Sequence, residues 1–67
     1  MAWRRLRKSD YEEYLNGLYS PDDAMQIGEY MKSAQNLLSR GKYGTALRRY
    51  DSIAFMVGYQ EWVDTHA

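Results

Sequence analysis

Gly41-Lys42-Tyr43-Gly44 decides the reading of this chain, because it separates two long stretches of helical periodicity. Upstream, Ala24, Ile27, Met31, Ala34 and Leu38 recur at steps of three and four. Downstream, Tyr43, Ala46, Leu47, Tyr50, Ile53, Ala54 and Val57 keep the same rhythm. Such steps gather side chains on one face of an α-helix, so each stretch carries one apolar stripe. Two striped helices joined by a tight, glycine-bearing turn predict an antiparallel hairpin.

The flanks place its ends. In Ser20-Pro21-Asp22-Asp23 the serine caps, the proline takes the first helical position, and two carboxylates face the positive end of the helix dipole. Arg40 and Gly41 form the matching stop. The spacing predicts helices over about 21–40 and 43–63, with His66 and Ala67 frayed beyond them. Pairing about position 43 sets Leu38 near Leu47, Met31 near Ala54 and Ala24 near Trp62. It also sets Gly28 opposite Gly58, where either close backbone approach or chance accounts for the two glycines.

Ahead of the hairpin, Ser9 with Glu12 reads as a capping box. Tyr11, Tyr14, Leu15 and Leu18 follow at helical spacing, and Asn16-Gly17 supplies a stop. A first helix over about 10–17 has barely two turns, too few to persist alone, so it must dock on the hairpin. The expectation is an all-α, small three-helix domain built on a long antiparallel hairpin. Residues 1–8 form a basic N-terminal arm and 9–67 a single helical domain.

Gly41, Tyr43, Ala46 and Tyr50 resemble the Gly-x-Tyr-x-x-Ala-x-x-x-Tyr core of a tetratricopeptide hairpin, a family of stacked helix pairs used as protein-binding scaffolds. The likeness covers about 15 residues, and the chain has room for one repeat where an array needs roughly three. It implies a similar way of packing two helices.

At 67 residues the chain is one small domain. A core of this size rarely supplies more than about 3–5 kcal/mol. Cysteine is absent, which removes disulfides and thiolate metal sites. Nine basic and nine acidic residues balance, so no global field favours nucleic acid. Arg4, Arg5, Arg7 and Lys8 nevertheless concentrate in the arm, leaving five basic and nine acidic residues elsewhere. The arm resembles the start of a signal peptide, but no apolar segment follows it. No apolar run approaches the ~20 residues of a membrane span. A soluble, cytoplasmic protein is expected.

Chemistry finds little support. His66 stands alone near the C-terminus, and Asp22 with Asp23 is explained by helix-start electrostatics. There is no phosphate loop, nucleophile-plus-base arrangement or metal-ligand spacing. Neither enzyme activity nor a cofactor or metal is expected.

Three surfaces could bind. On the last helix, Phe55, Tyr59 and Trp62 are spaced i, i+4, i+7, with Met56 and Val63 widening the patch. Either the first helix and Trp3 cover this stripe, or another molecule does. Arg40, Lys42, Arg48 and Arg49 gather near the turn beside Tyr43 and Tyr50, a place for phosphates and stacked bases. The arm, with Trp3 and Leu6 between its four charges, suits phosphates or an anionic membrane. A helix-turn-helix reader is not expected, since the last helix turns apolar residues both ways.

The expected function is a small non-enzymatic protein-binding module, a regulator or inhibitor docking a larger protein, either singly or as a homodimer. Phe55, Met56, Tyr59 and Trp62 are its anchors. A phage or plasmid accessory protein is the base-rate origin for such a compact domain. The alternative is a nucleic-acid-binding accessory protein using Arg4, Arg5, Arg7, Lys8, Arg40, Lys42, Arg48 and Arg49.

Overall fold

The computed structural model describes residues 6–66, and Trp3, Arg4 and Arg5 of the basic arm lie outside that range. The described residues form five α-helices and one 3₁₀ turn: α1 (Lys8–Leu18), α2 (Pro21–Ile27), the 3₁₀ turn (Lys32–Ala34), α3 (Gln35–Ser39), α4 (Tyr43–Tyr50) and α5 (Ser52–His66). The all-α class is as the periodicity predicts. The two long helices of the expected hairpin are not, since both are broken.

The helix expected over 21–40 stops at Ile27. Its start is as read: Ser20 Oγ accepts the Asp23 N–H at 3.2 Å, and Pro21 opens the first turn. Gly28 ends it, and Met31, at φ −88° and ψ 77°, turns the chain before α3 begins. The bend folds α3 back so that Leu38 lies over Gly28, where an added Cβ would sit 2.7 Å from Leu38 Cδ2. Gly28 thus faces Leu38, while Gly58 faces the Tyr11 hydroxyl, and the expected pairing of the two glycines does not occur.

The end of α3 follows the sequence closely. Gly41 takes φ 76°, and the N–H groups of Gly41 and Lys42 return to the carbonyls of Leu38 and Leu37 at 3.0 and 2.9 Å. This double return needs the left-handed conformation that glycine adopts without steric cost.

The helix expected over 43–63 breaks at Asp51, with φ −144° and ψ 65°. Asp51 closes α4 through its N–H to Leu47 O at 2.8 Å and opens α5 by accepting the Phe55 N–H at 3.0 Å. Its Oδ1 also accepts the Ala54 N–H at 3.3 Å. Aspartate competes with a helix interior and favours caps, so the Asp51-Ser52 pair is a start signal hidden inside a continuous apolar rhythm. α5 then runs on to His66, three residues past its expected end.

α1 begins at Lys8 and ends at Leu18, one or two residues beyond the expected bounds at each end. Arg7 is its cap, and the Arg7 N–H donates to Asp10 Oδ2 at 2.9 Å. Ser9 and Glu12 therefore form no capping box, and Glu12 is left to reach α4. The core is Tyr11, Leu15, Ala24, Met31, Ala34, Leu38, Ala46, Leu47 and Phe55. It sits where α1 crosses α4, with α3 and the 3₁₀ turn packed on α4 and α2 packed on α3.

Candidate interaction surface

α1 is fastened to α4 by polar groups. Asn16 Oδ1 accepts the N–H of Gly44 at 2.8 Å and of Thr45 at 3.2 Å, and Asn16 Nδ2 donates to Thr45 Oγ1 at 3.2 Å. Two of the first-turn N–H groups of α4, those of Gly44 and Thr45, thus get partners from another helix, since Lys42 offers no side-chain cap. Thr45 Oγ1 donates to Glu12 Oε2 at 2.6 Å, and Arg48 Nη1 donates to Glu12 Oε1 at 2.8 Å. The Thr45 hydrogen bond, with help from Arg48 and Lys42, holds the Glu12 carboxyl below the usual carboxylate range. Gly44 makes the approach close, since an added Cβ would collide with the Glu12 carbonyl oxygen.

α1 is fastened to α5 by rings. Phe55 lies edge-on to Tyr11 at 5.2 Å between centroids, and Trp62 lies 5.3 Å from Tyr11 and 5.6 Å from Tyr14. Tyr59 tilts against Tyr11 at 6.1 Å and donates its hydroxyl to Leu6 O at 2.8 Å. Burial raises the Tyr11 hydroxyl above its ordinary pKa. His66 continues the row, its ring 5.1 Å from Trp62 and its Nδ1 2.7 Å from Trp62 O. Trp62 Nε1 is buried and has no hydrogen-bond partner among the described residues.

The structure therefore separates the expected anchors. Phe55 is 1% exposed and belongs to the core, while Tyr59 and Trp62 are half-buried behind α1. Met56 stays open, on a different side of the helix. It adjoins a stripe whose spacing predicts a place in the hairpin core but which lies open: Ile53 is 79% exposed and Val57 56%. Further along the same side lie Gln60, Glu61 and Asp64, all exposed. Because α5 restarts at Asp51, the stripe that buries α4 no longer faces inward along α5. Phe55 is the sole fully buried side chain of this 15-residue helix.

The basic residues near the turn also divide. Arg48 is drawn into its ion pair with Glu12, its guanidinium carbon 5.7 Å from the Phe55 ring centre. Arg49 shares a shallow groove with Glu12, Thr45 and Arg48, so a carboxylate stands inside the expected anion site. Arg40, Lys42, Arg49, Arg7 and Lys8 are exposed. Tyr43 is half-buried edge-on to Tyr19 at 5.0 Å, and Tyr50 is open.

Sequence reasoning missed Asn16, Thr45 and Tyr30. The Tyr30 hydroxyl donates to Asp51 Oδ2 at 2.5 Å, tying the bend after α2 to the joint between α4 and α5. That bond raises the Tyr30 pKa to about 12. Among the described residues no cluster of His, Asp and Glu gathers to hold a metal, and no helix is long and apolar enough to cross a membrane. No family model, curated protein or solved structure matches the chain.

Proposed function

We propose that this protein is a small, non-enzymatic protein-binding module, acting as a regulator or inhibitor that docks another protein. One observation carries the reading. Ile53, Met56 and Val57 lie at i, i+3 and i+4 on an open side of α5, and none of them contributes to the core. β-branched Ile53 and Val57 are poorer helix formers than Ala, so local propensity gives no reason for them here. An apolar patch rimmed by polar residues is the usual form of a docking surface. Gln60, Glu61 and Asp64 supply one rim.

The nucleic-acid reading draws on Arg40, Lys42 and Arg49, which are exposed, but Glu12 shares the groove of Arg49 and weakens a phosphate site there. A nuclease-treated pull-down from host lysate separates the two. Ile53→Ser/Val57→Ser should abolish capture of one protein while circular dichroism shows an unchanged helix content. Arg40→Ala/Arg49→Ala should leave it in place. Capture lost on nuclease treatment or with the arginine variant, and falling steeply with salt, would replace this proposal with the nucleic-acid one.

A further inference from the structure

We propose that the cavity between the first half of α1 and the last turns of α5 is a binding site for an arginine side chain. Leu6, Asp10, Glu13 and Trp62 line it, and it measures about 300 Å³. That is the small end of the roughly 300–1,000 Å³ range of ligand sites, with room for one side chain and its peptide group. It shares no lining residue with the Ile53–Val57 side of α5, so it stands apart from the docking stripe and does not depend on it.

Two kinds of group meet there. Asp10 and Glu13 stand three residues apart on α1, so their carboxylates share one side of the helix. Asp10 has a local task, since its Oδ2 accepts the Arg7 N–H at the helix start. Glu13 lies beyond the first turn, where helix-start electrostatics no longer accounts for it. Among the described residues the ion pair formed is Arg48–Glu12, so neither Arg7 nor Lys8 neutralises Asp10 or Glu13. The α5 wall is Trp62, whose Nε1 is buried and has no hydrogen-bond partner among the described residues. Buried donors are almost always paired, so this one points to an acceptor that a ligand brings.

Together these groups specify a cation and a carbonyl in one unit. An ammonium meets carboxylates as a point charge, whereas a planar guanidinium both forks onto carboxylates and stacks on an indole face. The carbonyl of the same arginine is the acceptor that the Trp62 N–H lacks. Leu6 offers apolar surface to the methylenes between them. A metal ion fits less well, because no third ligand joins the two carboxylates among the described residues. The arginine has two sources: Arg4 and Arg5 closely precede Leu6 in the sequence, and a second protein can present the same side chain.

Titration of the isotope-labelled full chain with Nα-acetyl-arginine amide, followed by NMR, tests the site. Trp3 and Trp62 are the two tryptophans of the chain, so the Trp62 indole N–H gives one of two indole peaks, assigned with Trp62→Phe. That peak should move saturably, with a Kd of about 1–10 mM. Nα-acetyl-citrulline amide, of the same shape without the charge, should leave it in place. Glu13→Gln should weaken binding about threefold or more, as expected for one exposed charge pair. Arg4→Ala/Arg5→Ala separates the sources, and the site stands in both cases. Binding that tightens in this variant makes the chain's own arginines the competing occupants, and unchanged binding assigns the site to an arginine from a partner. A Trp62 peak that the arginine probe fails to move in either background overturns the proposal. So does equal movement by the citrulline probe, or undiminished binding by Glu13→Gln.

Discussion

α4 and α5 are neighbours in the chain and opposites in construction. α4 has eight residues, and Gly44, Ala46 and Leu47 are all buried. Its start is capped by Asn16, its side is clamped through Thr45 and Arg48 to Glu12, and its other face closes on the core. α5 has nearly twice the length, yet one buried side chain and an aromatic row hold it to α1. The first helix is used up by the fold. The second keeps apolar side chains, Ile53, Met56 and Val57, that the core does not use.

The largest expected effect tests how α5 is held. Phe55→Ala removes a fully buried ring and should cost about 3–5 kcal/mol. That equals what a core of this size supplies, so urea melts should show the domain largely unfolded. Ile53→Ser, two residues earlier, should change stability by less than about 0.5 kcal/mol. Comparable costs at the two positions would mean that both sides of α5 are structural, and the contrast with α4 would collapse.

Next comes the seam of α4. Gly44→Ala places a methyl group against the Glu12 backbone, which cannot swing aside as a side chain would. The loss should be about 1–3 kcal/mol, measured by the same melts. Glu12→Gln should cost roughly 1 kcal/mol at neutral pH, since it weakens a charge-assisted pair at a half-buried site. Its pH profile is the sharper readout. Glu12 has its pKa lowered in the fold, so its stabilisation is present above the unfolded carboxylate pKa and fades as pH falls through the folded value. The wild type should lose this margin on acidification, and Glu12→Gln should show a flatter curve. Parallel curves would remove Glu12 from the clamp.

How much of this was legible follows the range of the forces. Ser20, Pro21 and Gly41 act within a turn of themselves, and each does what the sequence indicates. Asp51 was legible in principle, as a cap residue followed by serine, but the unbroken apolar rhythm from Tyr43 to Val57 overrode it. That rhythm misled because it serves two surfaces, core in α4 and exterior in α5. Gly28 falls inside the helix expected over 21–40, opposite Gly58, and is instead the end of α2, with Leu38 lying over it. Asn16 was read as a local stop, and its amide acts 28 residues away. No spacing rule signals such a partner. At the surface, Met56 is expected on an open patch and is exposed, whereas Ile53 and Val57 are expected in the core and are exposed too, since which apolar side faces out depends on the joint at Asp51.

The smallest expected effect concerns that joint. Tyr30 is 57% exposed, and among the described residues its hydroxyl bonds to Asp51, which also caps α5. Its pKa is raised from 10.0 to about 12 by that bond. A raised pKa means that the folded protein keeps this proton after the unfolded chain has lost it. The stabilisation is therefore full below pH 10 and disappears as pH climbs toward 12. Solvent at so open a ring screens it, keeping the contribution under about 1 kcal/mol. Tyr11 and Tyr43, both raised by burial, fall in the same direction, so the useful quantity is the difference between wild type and Tyr30→Phe. That difference should be small and constant through neutral pH and vanish in strong base, and a tyrosinate absorbance titration should lose its latest step in the variant. A difference independent of pH would assign Tyr30 to packing alone. The joint that turns Ile53 and Val57 outward would then rest on the Asp51 backbone and cap, without help from the bend after α2.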